Sequence, residues 1–193
     1  VIRDIVQVSQ GLAEGKVVNT KTEYLGDFSK INNALEIAVT KLADATNKNK
    51  VQDWLKSGQA KLNGQIAGEQ ELFAMSKKTI SFLTTYIEAE IGLFYILTED
   101  QQYLQLIASY AYLQENKVTN KTKLTEGLAG QSALEQKIIR RTQTPEECPA
   151  IVSSGLARSL PQHVILLPFL YENEVKGVIE IGASSMIMDT QRT

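Results

Sequence analysis

Two side chains of this sequence are candidates for nucleophilic or redox chemistry, Cys148 and His163. Each is the only residue of its type, so an internal disulfide and a structural zinc site of several His and Cys ligands are both excluded. Cys148 follows Glu146 and Glu147, whose negative charges disfavour the reactive thiolate. A Cys/His pair stays open as an alternative, but we predict no catalytic residue and no metal site.

Glu180 is the sharper candidate for a functional side chain. It lies in the segment GVIEIGA, where all six of the remaining residues are apolar or glycine. A carboxylate in such a strand must be paired, hydrogen-bonded or placed at an edge, because burying an unpartnered charge is costly. Two interpretations are open: a structural hydrogen bond to a neighbouring loop or helix end, or a polar anchor in a ligand pocket.

Apolar residues of the predicted strands around Glu180 could line such a pocket. Side chains alternate between the two faces of a strand. Phe94 therefore shares a face with Ile96, and Ile165, Leu167 and Phe169 share another. The sequence leaves open which face meets a cavity. We name five candidate ligand-binding residues: Phe94, Ile165, Leu167, Phe169 and Glu180.

The composition restricts the class of partner. Lys and Arg number 20 against 22 Asp and Glu, the net charge is −2, and the isoelectric point is about 5.6. Nucleic acid is therefore not an expected partner, because duplex-binding domains usually carry a basic face. No apolar run approaches the roughly 20 residues that cross a bilayer. The chain starts with Val, and we expect it to be a fragment of a longer protein.

The first third of the chain is predicted to be helical, with apolar residues at heptad spacing. One stripe begins at Ile2, a longer one repeats at intervals of 3 and 4 from Phe28 to Asn49, and a third, in shifted phase, begins at Val51. These stripes have no partner within one chain, so we predict a parallel homodimer. Its predicted interface residues are Ile2, Ile5, Leu12, Ile31, Leu35, Leu42, Val51, Leu55 and Leu62.

From about Glu90 the pattern changes to short apolar runs separated by turn signals. The segments IGLFYILTED and YLQLIASYAY predict a β-hairpin, followed by a polar loop, a helix at GLAGQSALEQ and a strand at KIIRRTQ. We expect a loop and short helix over 144–162, and then two strands, HVILLPFLY and VKGVIEIGA. This order predicts an α+β fold with about five strands, mostly antiparallel.

The first 50 residues resemble a HAMP domain of bacterial signalling proteins. The resemblance rests on the two heptad stripes, on LAEG at the end of the first helix, and on EYLGDFSKINNAL at the opening of the second. It implies a parallel four-helix bundle formed by a dimer at residues 1–50. A helical linker over residues 51–68 would join this bundle to the rest of the chain.

Residues 69–188 resemble a GAF domain, which leaves a tail at 189–193. This resemblance rests on two segments, TEGLAGQSALEQKIIRRTQTPEE and SSGLARSLPQHVILLPFLYENEVKGVIEIGAS. The resemblance implies an α/β/α sandwich around an antiparallel sheet, of the kind found in sensor histidine kinases. The Cys-His pair of bilin-binding GAF domains and the Asn-Lys-Phe-Asp-Glu pattern of cyclic-nucleotide-binding ones are both missing. We therefore expect no cofactor, with haem on His163 as an alternative.

Together the two resemblances imply a signal-relay fragment of a two-component or chemotaxis-type protein rather than an enzyme. The expected partners are a second copy of the chain and the neighbouring signalling domains of the same protein. The alternative is a GAF sensor whose input is the binding of an unidentified small molecule. The resemblance further implies the cytoplasmic portion of a bacterial protein whose parent is in the inner membrane.

Overall fold

The computed structural model describes residues 6, 10, 27–112, 120–142, 151–153, 157–159 and 161–185. The predicted interface residues Ile2, Ile5 and Leu12 lie outside this part, so the HAMP expectation stays a prediction there. The chain divides between Ser57 and Gly58 into two compact units. Within the described ranges, no helix has both the length and the apolar character that a membrane span requires.

A single helix, α1 (Asp27–Ile66), runs for 40 residues and passes the boundary between the two units without a break. At 1.5 Å per residue it is about 60 Å long. The shift in heptad phase near residue 50 therefore does not interrupt the helix. Leu42 and Leu55 are 50% and 55% exposed, whereas Leu35, Val51 and Leu62 are partly buried. The two exposed leucines leave apolar surface that the described residues do not cover.

The second unit contains a sheet of six antiparallel strands in the order β3-β2-β1-β8-β7-β4. Two further strands, β5 and β6, form a separate antiparallel pair. The strands are β1 (Ile91–Leu97), β2 (Tyr103–Tyr110), β3 (Lys121–Lys123), β4 (Ile139–Thr142), β5 (Ile151–Ser153), β6 (Ala157–Ser159), β7 (His163–Tyr171) and β8 (Glu174–Ala183).

The structure confirms both long hairpins, β1–β2 and β7–β8, and the α+β class with an antiparallel sheet. It also contains three short strands that we did not predict. β3 lies in a segment read as a polar loop, and β5 and β6 lie where we expected a loop and a short helix. β3 has no apolar alternation because it is an edge strand, held by the pairing of Lys121 and Lys123 with β2.

Two helices pack on opposite faces of the six-stranded sheet. α2 (Leu72–Tyr86) contributes Ile80 to a core on one face, with Phe94 and Ile181. α3 (Gly127–Glu135) contributes Ala129 and Ala133 to a core on the other face, together with Leu104, Val164, Leu166 and Val178. Each side of the sheet therefore has its own apolar core, and we call the two sides the α2 face and the α3 face.

α1 and α2 meet at Gly58, which is buried. A Cβ atom added to Gly58 would lie 2.6 Å from Cε1 of Tyr86, the last residue of α2. The Tyr86 ring also stacks on Phe82, with 5.1 Å between centroids, and the Lys61 ammonium lies 5.7 Å from the Tyr86 centroid. Gly58 therefore provides the space for the Tyr86 ring, and α1 contacts α2 at this position.

We expect Gly58→Ala and Gly64→Ala to change stability in opposite directions. A Cβ at Gly64 meets nothing within 4 Å, so Gly64→Ala should gain about 0.5–1 kcal/mol from helix propensity. Gly58→Ala gains the same helix propensity, but its methyl group must displace the Tyr86 ring. We therefore expect its free energy of unfolding to fall by about 1 kcal/mol. Urea unfolding followed by circular dichroism measures both. Equal stabilisation by both variants would contradict the contact between Gly58 and Tyr86.

Candidate functional site

The strand register decides which predicted site residues meet. Residues directly opposite each other on neighbouring strands share a face, and successive residues alternate. Glu180 in β8 is opposite Leu93 in β1 and Leu166 in β7. Ile179, one residue earlier, is opposite Phe94. Because Leu166 belongs to the core beneath α3, Glu180 lies on the α3 face and Phe94 on the α2 face.

The structure divides the five candidate ligand-binding residues between the two faces of the sheet, and their role in ligand binding stays a prediction. The rings of Phe94 and Phe169 are in contact, with 5.1 Å between centroids. Both pack with Leu167 in the core beneath α2. Ile165 is opposite Ile181, which is a member of the same core. These four residues are therefore packing residues of the α2 face, and strand alternation separates them from Glu180.

Glu180 borders a small cavity on the α3 face, with a volume of about 10 Å³. That volume is roughly what one water molecule needs. The Tyr95 hydroxyl donates a hydrogen bond to the carboxylate, with 3.4 Å between Oη and Oε2. This partner is a side chain on the neighbouring strand, not the loop or helix end that one interpretation expected. The remaining lining is apolar, from Ile91, Leu93, Pro161, Val164 and Gly182.

Burial raises the pKa of Glu180 to about 7, and the hydrogen bond from Tyr95 offsets part of that rise. The carboxyl group therefore exists in both its protonated and its charged form near neutral pH. In the charged form it has capacity to accept further hydrogen bonds, because one carboxylate offers several acceptor positions. The site is suited to a ligand group that donates hydrogen bonds or carries a positive charge.

Arg141, which we did not single out from the sequence, lies at the edge of the same face. It is opposite Val164 in β7, and Val164 is opposite Gly182 in β8. Val164 and Gly182 both line the cavity. Arg141 therefore lies next to a cavity-lining residue, Val164, in the same row across the strands. Arg141 is exposed and forms no ion pair with any residue that the structure describes. The sequence indicates this position of Arg141 only through the alternation of side chains along the strand KIIRRTQ, which puts Arg141 on the same face as Ile139.

The chain offers little for metal or nucleophile chemistry within its described part. No group of three or more His, Cys, Asp or Glu residues that could hold a metal ion is found there. His163 begins β7 on the α2 face, and its Nδ1 lies 3.3 Å from Oγ1 of Thr142. Cys148 lies outside the described residues, so the Cys/His alternative is not tested.

A sequence model of the GAF domain family matches residues 69–187. The chain belongs to the GAF domain family. Among solved structures it is similar to the GAF domain of a phosphoenolpyruvate-protein phosphotransferase from Coxiella burnetii, at 17% identity over 72% of this chain and 84% of that one, with a TM-score of 0.58. The corresponding domain from Acinetobacter gives 19% identity over 68% and 77%, with a TM-score of 0.54.

The same GAF fold also occurs in enzymes. Free methionine-R-sulfoxide reductase from Neisseria meningitidis, solved in complex with its substrate, is 16% identical over 67% of this chain and 74% of that one, with a TM-score of 0.50. Identities this low show a common fold and nothing about a ligand. A search of curated protein sequences gave no match. The GAF prediction is confirmed, whereas a HAMP domain at residues 1–50 stays a prediction.

Proposed function

We propose that the chain is a signal-relay unit in which a GAF domain is coupled through α1 to a dimeric HAMP-type bundle at residues 1–50. The parent would be a bacterial two-component or chemotaxis-type protein, with this part in the cytoplasm and with no catalytic role of its own. The observation that carries the proposal is the continuity of α1 across the boundary between the two units. A continuous helix transmits rotation and tilt better than a flexible linker.

A second copy of the chain is the proposed partner of α1. Leu42 and Leu55 are about half exposed in a helix with heptad spacing. Burying a leucine side chain contributes about 1.5–3 kcal/mol, so a parallel pair of α1 helices gains stability from this surface. In this arrangement the contact between Gly58 and Tyr86 stays within each chain and anchors α1 to the GAF domain.

The relay proposal predicts that coupling depends on the phase of α1. One residue inserted after Lys56 rotates everything downstream by about 100°, whereas seven residues restore the heptad position. We expect inter-subunit crosslinking through Leu62→Cys, in a Cys148→Ser background, to fall several-fold with one inserted residue and to recover with seven. The chain without an insertion is the reference. Equal yields from both insertions would mean that the segment is a flexible tether, and the proposal would fail.

We further propose that binding of a small molecule on the α3 face is the input to the relay. The observation that favours this is the small cavity on that face, which is apolar except for the Glu180 carboxyl group that borders it. Native mass spectrometry of the purified chain tests it. A retained small molecule that is lost in Glu180→Gln supports ligand binding at this site.

A further inference from the structure

We propose that the free edge of β4 binds an extended acidic segment of a partner protein, which adds to the sheet as a further strand. β4 is the last strand in the order β3-β2-β1-β8-β7-β4, and no strand in the described ranges pairs with its outer side. In an antiparallel strand, the N–H and C=O groups of every second residue point away from the partner strand. The outer side of β4 therefore presents backbone donors and acceptors with which another strand can pair.

The side chains of this edge carry two positive charges. Arg140 and Arg141 are both exposed, and neither forms an ion pair with a residue in the described part of the chain. The whole chain has a net charge of −2, so the positive charge here is a local property of the β4 edge. Charge complementarity favours an acidic partner. It disfavours a second copy of β4, whose own arginines would repel these two.

The two arginines are arranged for consecutive side chains of a strand rather than for one small anion. Successive residues of a strand point to opposite faces. Arg141 is opposite Val164 and lies on the α3 face, whereas Arg140 is opposite Ile165 and lies on the α2 face. A single phosphate or carboxylate on one face meets one arginine. Two consecutive acidic residues of an added strand place one carboxylate beside each of them.

An exposed apolar residue extends the same edge. Ile138 directly precedes β4 and is 55% exposed. If the added strand is antiparallel, the residue two positions after the acidic residue beside Arg140 lies beside Ile138. An apolar side chain at that position removes apolar surface from water, which favours binding. The segment that fits therefore has two consecutive acidic residues, any third residue, and then an apolar one.

The other edge strand of the sheet lacks these features. β3 has three residues, whereas β4 has four. Lys123 of β3 is paired with Glu126, with 3.4 Å between Nζ and Oε1. The residue that follows, Leu124, packs against the core of the α3 face. β3 is therefore a short, charged edge of the kind that resists pairing, whereas β4 combines unpaired charge with exposed apolar surface.

The peptide acetyl-TVEETVT-amide is the probe for this surface. Its titration into the isotope-labelled full chain, followed through the backbone amide NMR signals, locates the binding site and gives a dissociation constant. We expect the signals of β4 to shift and those of β3 to stay unchanged. We expect acetyl-TVKKTVT-amide to bind at least tenfold more weakly, because its lysines replace two charge-assisted contacts with repulsion.

Variants of the chain assign the contacts to β4. The double variant Arg140→Gln/Arg141→Gln should bind acetyl-TVEETVT-amide at least tenfold more weakly than the unchanged chain. Lys121→Gln is the matched control, because it removes an exposed positive charge from the opposite edge strand, β3. It should bind the peptide like the unchanged chain. Circular dichroism of both variants verifies that the fold is retained.

Methylation of the peptide backbone separates strand addition from attraction between charges alone. Two versions of the probe carry N-methyl groups on alternate residues, in opposite phase. In one phase the methyl groups replace the N–H groups that point toward β4, and in the other they replace those that point to solvent. We expect the first version to lose at least tenfold in affinity and the second to bind like the parent peptide.

Three outcomes overturn this proposal. The first is equal affinity of the two methylated peptides, which would mean that charge alone attracts the probe. The second is an affinity that is the same in Arg140→Gln/Arg141→Gln, Lys121→Gln and the unchanged chain. The third is no shift of the β4 signals at about 5 mM peptide, a concentration that detects weak binding. None of them decides the relay function, which the α1 insertions test separately.

Discussion

Replacing Gly177 with alanine is expected to reduce the free energy of unfolding by about 3 kcal/mol. Gly177 lies in β8, between Ile96 of β1 and Phe169 of β7. A Cβ atom there would overlap the backbone oxygen of Tyr95 and would lie 2.8 Å from Cε1 of Phe169. The backbone oxygen cannot move away without disturbing the β1–β8 pairing, so the added methyl group cannot be accommodated by a rotamer change.

Urea unfolding of Gly177→Ala, compared with that of Lys176→Ala, measures this effect. Lys176 is the preceding residue, and its ion pair with Glu174 is exposed, with side chains that are 46% and 67% accessible. Exposed ion pairs contribute little, so the control should stay within about 0.5 kcal/mol of the unchanged chain. If the two variants are equally stable, β1 and β8 are not as closely paired at Gly177 as the structure places them.

Elements with a strong local pattern could be predicted from the sequence. The heptad spacing that includes Leu35 and Leu42 predicts α1, and the apolar runs ending near Leu97 and Tyr171 predict the two long hairpins. β3 could not be predicted in this way. Its residues, KTK, are polar. The strand forms because it pairs with β2 through backbone hydrogen bonds, with Tyr103 opposite Lys123. Pairing between distant segments is not visible in local periodicity.

The candidate site was predictable in one residue only. Glu180 could be recognised because a carboxylate within an apolar strand needs a special environment. Its neighbours depend on register, since a slip of one residue between β1 and β8 would bring Phe94, not Leu93, opposite Glu180 and reverse the faces. Arg141 depends further on strand order, because β4 reaches this face only through β7.

We expect Glu180→Gln to remove a pH dependence of stability that the unchanged chain shows between about pH 4.5 and pH 7. The carboxyl group has its ordinary pKa of 4.5 in the unfolded chain, and burial raises the pKa to about 7 in the folded one. In that range the folded state holds a proton that the unfolded state releases. The stabilisation is therefore complete below pH 4.5 and is lost as the pH rises through about 7.

The loss for the unchanged chain should be on the order of 2 kcal/mol between pH 5 and pH 8, allowing for the partial exposure of Glu180. Glutamine is neutral throughout and keeps an acceptor for the Tyr95 hydroxyl. Glu180→Gln should therefore match the unchanged chain at pH 5 and be more stable at pH 8. Urea unfolding at several pH values between these limits measures the difference between the two proteins.

Other carboxylates do not obscure this comparison. A hydrogen bond from Lys78 lowers the pKa of Glu69, and one from Lys176 lowers the pKa of Glu174. Both contribute in the opposite direction, since their stabilisation is lost as the pH falls, but they are present in both proteins and cancel. Glu174→Gln is the control on the same strand and should gain no stability at pH 8. Parallel pH profiles for Glu180→Gln and the unchanged chain would mean that the Glu180 carboxylate is as well solvated in the folded state as in the unfolded one, which would contradict its burial beside the cavity.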